Sequence, residues 1–215
     1  EEFLSKTAVF GLLILKNKFQ ILNSKFQFTS TLEFGFSKNW NFNKTKMMEQ
    51  YLRQLIAIEF TDKKEIFTGF LIDYSDDWIL LRNNPVDYIL DGFVILKNKN
   101  IEAIHRDQDL AFTEKVIRLK GLKTSAEDII PIKDLSTIVK FLTNKYGIFQ
   151  ISKKSAKSAY LAKLIELNDE ELTIDFLDTR GQFGGELSFN PEKIRVIEFD
   201  TDYINSLKLV IPANQ

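Results

Sequence analysis

The sequence predicts a mainly β protein: two small, bent, five-stranded barrels in tandem, each preceded by a short helix. Three observations predict it. Apolar residues recur at alternate positions in short runs, the period of a strand with one buried face. Polar and glycine-bearing clusters separate those runs, as backbone reversals require. The whole pattern also occurs twice: "GFLIDYSDDWILL" at 69–81 is echoed by "AKLIELNDEELTI" at 162–174, an offset of 93. The offset persists without a gap. "DGFVILKNKNIEAIHRD" at 91–107 falls on "GGELSFNPEKIRVIEFD" at 184–200, aligning Gly92 with Gly185, Ile101 with Ile194, Ile104 with Ile197 and Asp107 with Asp200. Upstream, "LIAIEF" at 55–60 falls on "IFQISK" at 148–153. Two generic β meanders would share alternation alone; agreement of the turns as well favours a repeated unit.

The elements follow in order. In the first copy the alternation places strands at 55–60, 65–74, 78–83, 92–97 and 101–105. "SDD" at 75–77 is a tight turn, because Ser and Asp side chains bond the backbone that follows. "NNPVD" at 83–87 interrupts the ladder, since proline has no N–H to donate. In the second copy "DTRGQFGG" at 178–185 reverses the chain, and "NPEK" at 190–193 turns it between the last two strands. "MEQYLRQ" at 48–54 is a brief helical segment before the first copy. Before the second, "DLSTIVKFLTNKYG" at 134–147 is a stronger helix: Asp134 is its N-cap, Leu135, Ile138, Val139 and Leu142 its apolar stripe, and Gly147 its left-handed stop. Residues 108–133 connect the copies, with a strand expected at "KVIRLKG" (115–121) and a loop at "KTSAED" (123–128). No stretch here is a free tether, so the halves are expected to pack together.

Composition bounds the function. The chain of 215 residues has a formal net charge of −1, 44% hydrophobic residues and no cysteine. There is no general attraction to nucleic acid or acidic membranes, and no disulfide, thiolate metal site or cysteine nucleophile. The absence of cysteine points to the cytoplasm. Residues 1–46 differ from the rest, with seven Lys against three Glu and eight of the 19 Phe, while both methionines, Met47 and Met48, stand at the junction. These features predict a non-native or disordered extension. "AVFGLLIL" at 8–15 is too short to span a bilayer as a helix. The remainder carries 22 basic and 27 acidic residues, a balance of −5. The expected layout is therefore an extension at 1–46, a first barrel at 47–107, a connector at 108–133, and a helix with the second barrel at 134–207.

With its glycine, aromatic and polar turn in register, "TGFLIDYSDDWILL" resembles the first motif of the Sm-like (Sm, LSm and Hfq) family, and "DGFVILKNKNIEAI" resembles the second. The resemblance covers 48–107 well and 135–200 more loosely; other SH3-like barrels are the alternative. It implies that the fourth strand of one unit pairs with the fifth of its neighbour. Within this chain, that would join 92–97 to 194–199, or 184–189 to 101–105. It also implies a uridine pocket, which this sequence largely lacks. Ser75, Asp77 and Ile79 stand where the family has aspartate, a base-stacking residue and asparagine, and Lys97 and Asn98 replace arginine and glycine. In the second copy Asn168, Glu170, Leu172 and Asn190 keep none of that chemistry.

The candidate sites are accordingly non-catalytic. Trp78 is expected to cap the barrel or, where exposed, to anchor a protein partner, and Tyr74, Tyr88 and Phe93 either extend an aromatic surface around it or pack into the core; a free strand edge is the other route to such a partner. RNA is the alternative ligand, on Lys97, Asn98, Lys99 and Arg106, with Lys153, Lys154 and Lys157 as a second basic cluster. No catalytic residue, metal, cofactor or membrane contact is expected. The single histidine, His105, excludes mechanisms that need two, and reads as an exposed strand end. Asp73, Asp76 and Asp77 lack the spacing of a calcium loop, and "GQFGG" lacks the lysine of a phosphate loop. Asp178 with Glu186, and Asp87 with Asp91, read as turn formers rather than acid–base pairs.

Overall fold

The structure is a computed structural model and describes residues 48–62, 65–153 and 159–211. The expectations for residues 1–46 and for Lys154 and Lys157 lie outside the described residues. The first half holds β1 (Leu55–Phe60), β2 (Ile66–Tyr74), β3 (Trp78–Asn83), β4 (Phe93–Lys97) and β5 (Ile101–His105). After α1 (Gln108–Leu119) and α2 (Leu135–Tyr146) come β6 (Phe149–Ser152), β7 (Ala159–Leu167), β8 (Leu172–Leu177), β9 (Phe183–Phe189), β10 (Val196–Phe199) and α3 (Asp202–Lys208). Strand bounds in the first half match the alternation almost residue for residue.

Among the described residues, ten strands form one antiparallel sheet in the order β5-β1-β2-β3-β4-β10-β6-β7-β8-β9. The fold is therefore mainly β, as expected, but the pairing is an open sheet and not two closed barrels. The reason is visible at β4, whose outer edge is occupied by β10 from the other half and so does not return to β5. Phe93 lies opposite Phe199, Val94 opposite Glu198, Ile95 opposite Ile197 and Leu96 opposite Val196.

The two halves repeat each other in register. Leu71↔Leu81 and Gly69↔Asn83 in the first half become Leu164↔Ile174 and Ala162↔Phe176 in the second, each displaced by 93. Ile79↔Leu96 likewise becomes Leu172↔Phe189, displaced by 93 on both strands. The irregularity between Leu71 and Asp73 recurs between Leu164 and Glu166, again 93 residues on. An extra residue at one fixed point bends and twists a strand, so both halves are bent at the same place. Gly69 serves this bend, because a Cβ there would come within 2.6 Å of the Arg82 carbonyl oxygen. At the matching position the second half has Ala162, the smallest side chain with a Cβ.

Strands β3 and β4 are buried on both faces, which explains their unbroken apolar runs "WILL" and "FVIL". Ile79, Leu81, Val94 and Leu96 face one core with Ile56, Ile58 and Phe60. Trp78, Leu80, Phe93 and Ile95 face a second core with Ile138, Val139 and Leu142 of α2 and Phe149, Ile174 and Phe199 of the other half. The predicted caps of α2 are present: Asp134 accepts the Thr137 N–H at 2.7 Å, and Gly147 stands at φ 75°. The brief helical segment expected at 48–54 is present in part: Met48 and Glu49 are helical and residues 50–53 continue as turns, with Tyr51 N–H donating to the Met48 carbonyl at 3.0 Å.

The strand expected at 115–121 is instead the C-terminal part of α1, followed by its C-cap Lys120 and Gly121. Asp107 caps the helix at its start by accepting the Leu110 N–H at 2.8 Å, and Leu110, Glu114 and Ile117 recur at helical spacing against β1 and β2. A charged residue, Glu114, stands in the middle of that buried stripe and hides the period. Among the described residues no helix is long and apolar enough to cross a membrane, and no cluster of acidic or histidine side chains could hold a metal ion.

Candidate functional site

Where β4 meets β10, four segments converge: 61–62 after β1, 98–100 after β4, Lys153 after β6, and 190–195 before β10. Backbone hydrogen bonds tie the seam together. Lys97 N–H donates to the Arg195 carbonyl at 2.7 Å, Arg195 N–H to the Ser152 carbonyl at 2.9 Å, and Thr61 N–H to the Asn100 carbonyl at 2.9 Å. Residues 191–193 form a single 3-10 turn, capped by Asn190, whose side chain accepts the Glu192 N–H at 2.9 Å.

Two adjoining cavities of about 560 Å³ each lie at this seam and share Lys97, Lys99 and Glu192. Their electrostatics differ. The first is walled by Asp76, Asp77 and Asp134 beside Tyr74 and Trp78. The second is lined by five cations, Lys97, Lys99, Lys153, Lys193 and Arg195, against two carboxylates, Asp62 and Glu192, a surplus of three positive charges. Lys97 Nζ lies 2.9 Å from Glu192 Oε2, and Arg195 engages both oxygens of Asp62 at 2.6 and 3.3 Å. The hydrogen bond and charge of Lys97, with Lys99 nearby, hold the Glu192 carboxyl below the usual range.

Aromatic rings back several of these cations. The Arg195 guanidinium stands 3.7 Å from the Phe60 ring centre, Lys153 Nζ 4.5 Å from that of Phe189, and Lys97 Nζ 5.8 Å from that of Trp78. Such stacking favours a cation over a ring face and keeps the long side chain aligned.

The sequence candidates separate. Lys97, Asn98 and Lys99 come together at the seam with Tyr74 and Trp78. Asn98 is a structural member of it, its Nδ2 donating to the Ser75 carbonyl at 3.1 Å. Arg106 is elsewhere, donating to the Leu55 carbonyl and to Glu114, each at 2.7 Å. The four aromatics do not form one surface. Trp78 is 2% exposed and Phe93 is 6% exposed, stacked on Phe199 at 5.3 Å. Tyr88 lies exposed against Phe112 of α1, ring centres 6.4 Å apart. His105 is half-buried and lies 3.2 Å from Glu59, not at a bare strand end. Asp178 accepts the Arg180 and Gln182 N–H groups, the work of a turn former. Ile79 is fully buried, and Ser75 turns inward, its hydroxyl donating to the Ile132 carbonyl at 2.8 Å.

Sequence reading missed Lys193 and Arg195. They belong to the segment that the 93-residue offset lays on 100–102, and the expected pairing of 92–97 with 194–199 would have brought them beside Lys97 and Lys99.

No protein-family model, curated protein or solved structure matches the chain.

Proposed function

We propose that this chain is a non-catalytic binding protein made of two Sm-like units fused through β4 and β10, and that its ligand at the seam is RNA. Two features support the Sm-like reading: each half has the strand order 5-1-2-3-4, and the halves join by the fourth-to-fifth strand pairing the resemblance implies. The single observation that carries the ligand is the cavity with five cations and two carboxylates. Clustered Lys and Arg neutralise phosphates and release their counterions, which gives affinity without enzymatic machinery. Because residues 47–215 total −5, this local surplus acts against the molecule's long-range field, and binding is expected in the micromolar range at low salt. The absence of cysteine supports a cytoplasmic setting.

The test is an anisotropy titration of mixed-sequence single-stranded RNA against the full chain. Micromolar binding that weakens steeply with salt supports the reading. No binding at 50 mM salt, about the low end of the usual range, refutes it.

A protein partner is the second reading, and its support has moved from Trp78 and Phe93 to Tyr88, Ile89 and Phe112, which are 37%, 52% and 59% exposed. If that surface docks a protein, Phe112→Ser reduces co-purification of a specific host protein while leaving the melting temperature unchanged.

A further inference from the structure

Each ring backing the cationic cavity is buried or already carries a cation, and the half-buried Tyr74 lies in the neighbouring cavity, which is walled by Asp76, Asp77 and Asp134. Trp78 is 2% exposed with Lys97 over it, Phe60 is fully buried under Arg195, and Phe189 is 8% exposed beneath Lys153. Sequence-tolerant binding by stacking needs an open aromatic face, and base-specific binding needs polar groups placed on base edges. Ile79 is fully buried and Asn98 Nδ2 is committed to the Ser75 carbonyl. What the cavity presents outward is charge. Lys99, Lys153 and Lys193 form no ion pair with any described residue, whereas Lys97 and Arg195 are held by Glu192 and Asp62.

These cations come from both halves: Lys97 and Lys99 from the first, Lys153, Lys193 and Arg195 from the second. The seam occurs once in the described sheet, because β5 and β9 stand at its two ends.

We infer that the seam holds the sugar–phosphate backbone of a single-stranded nucleic acid without reading its bases, at one site per chain. This rests on the RNA reading above and narrows it, since the contacts are to phosphate and carry no sequence information. Three unpaired lysines imply a log–log salt slope of about −2, so affinity falls roughly 15- to 20-fold between 50 and 200 mM salt.

Fluorescence anisotropy with labelled 12-nucleotide oligouridylate, oligoadenylate and oligothymidylate DNA tests it on the full chain. The three are expected to bind within threefold of one another at 1:1 stoichiometry. The Lys99→Glu/Lys193→Glu double variant, altered only at exposed side chains, is expected to lose tenfold or more for all three while keeping its melting temperature. Lys115→Glu, on the exposed side of α1, is expected to bind as the unaltered chain does. A tenfold preference for oligouridylate, a second equivalent site, or unchanged binding by the double variant would overturn the inference and leave RNA binding standing. Tripolyphosphate displacing the oligonucleotides at equal concentration would overturn it in favour of a small phosphate ligand. Failure of all three oligonucleotides to bind would overturn the RNA reading itself.

Discussion

Glu114 shows how a single charged side chain ties α1 to the sheet. It is 9% exposed and accepts the Leu55 N–H at 2.9 Å, Arg106 at 2.7 Å and Arg118 at 2.8 Å. Burial pushes its carboxyl up, but the bond from Leu55 and the two arginines outweigh burial and hold it below the ordinary range. A carboxylate depressed in this way stabilises the fold at neutral pH. That contribution disappears as pH falls through the folded-state value. Glu114→Gln is therefore expected to destabilise the protein at pH 7 by about 2 kcal/mol, discounted because Arg118 is well exposed. The difference between variant and wild type should shrink towards pH 3, as read by urea unfolding; a gap independent of pH would contradict the assignment. Gly92 is the second residue to test. It has φ +58°, and a Cβ there would stand 2.6 Å from the Phe199 carbonyl oxygen. Gly92→Ala is expected to cost about 1–3 kcal/mol, because a strained φ and a backbone collision act together at the seam.

At the scale of elements, legibility followed the pattern of exposure. The first-half strands were legible because their alternation or unbroken apolar runs are bounded by turn formers such as Ser75, whose Oγ accepts the Trp78 N–H at 3.0 Å. Helix α2 was legible because both caps are local signals, Asp134 and Gly147. Helix α1 was not, since Val116, Ile117 and Leu119 imitate an extended run and its decisive inward residue, Glu114, is charged. The common aromatic surface failed for a related reason: the unbroken apolar run "WILL" cannot show that α2 and the second half cover the face carrying Trp78. Phe93 and Phe199 are where that covering is densest, stacked at 12° between ring planes. Phe199→Ala is expected to cost about 3–5 kcal/mol and lower the melting temperature markedly. A loss below 1 kcal/mol would show that the seam is not packed as described.

For the whole molecule, the sheet's continuity decides how the halves depend on each other. The internal seam pairs Phe93, Val94, Ile95 and Leu96 with Phe199, Glu198, Ile197 and Val196, all apolar except Glu198. The terminal strand β9 offers Glu186, Leu187 and Ser188 where β4 offers Phe93, Val94 and Ile95. A polar edge resists unwanted strand pairing, whereas an apolar one invites it. A fragment ending near residue 110 bares the β4 edge and is expected to oligomerise or aggregate; a well-behaved monomer by light scattering would contradict that dependence. Closure was not legible in the sequence because the unbroken apolar run of β4 is satisfied equally by a closed barrel or by a neighbour.

Two halves of matching strand register share a single sheet through β4 and β10. Backbone nuclear Overhauser effects between these strands test it most directly. The account predicts cross-strand contacts at Val94–Glu198 and Ile95–Ile197, with slow amide exchange on both strands. Their absence, with β4 amides exchanging as fast as those on the outer edge of β9, would contradict it.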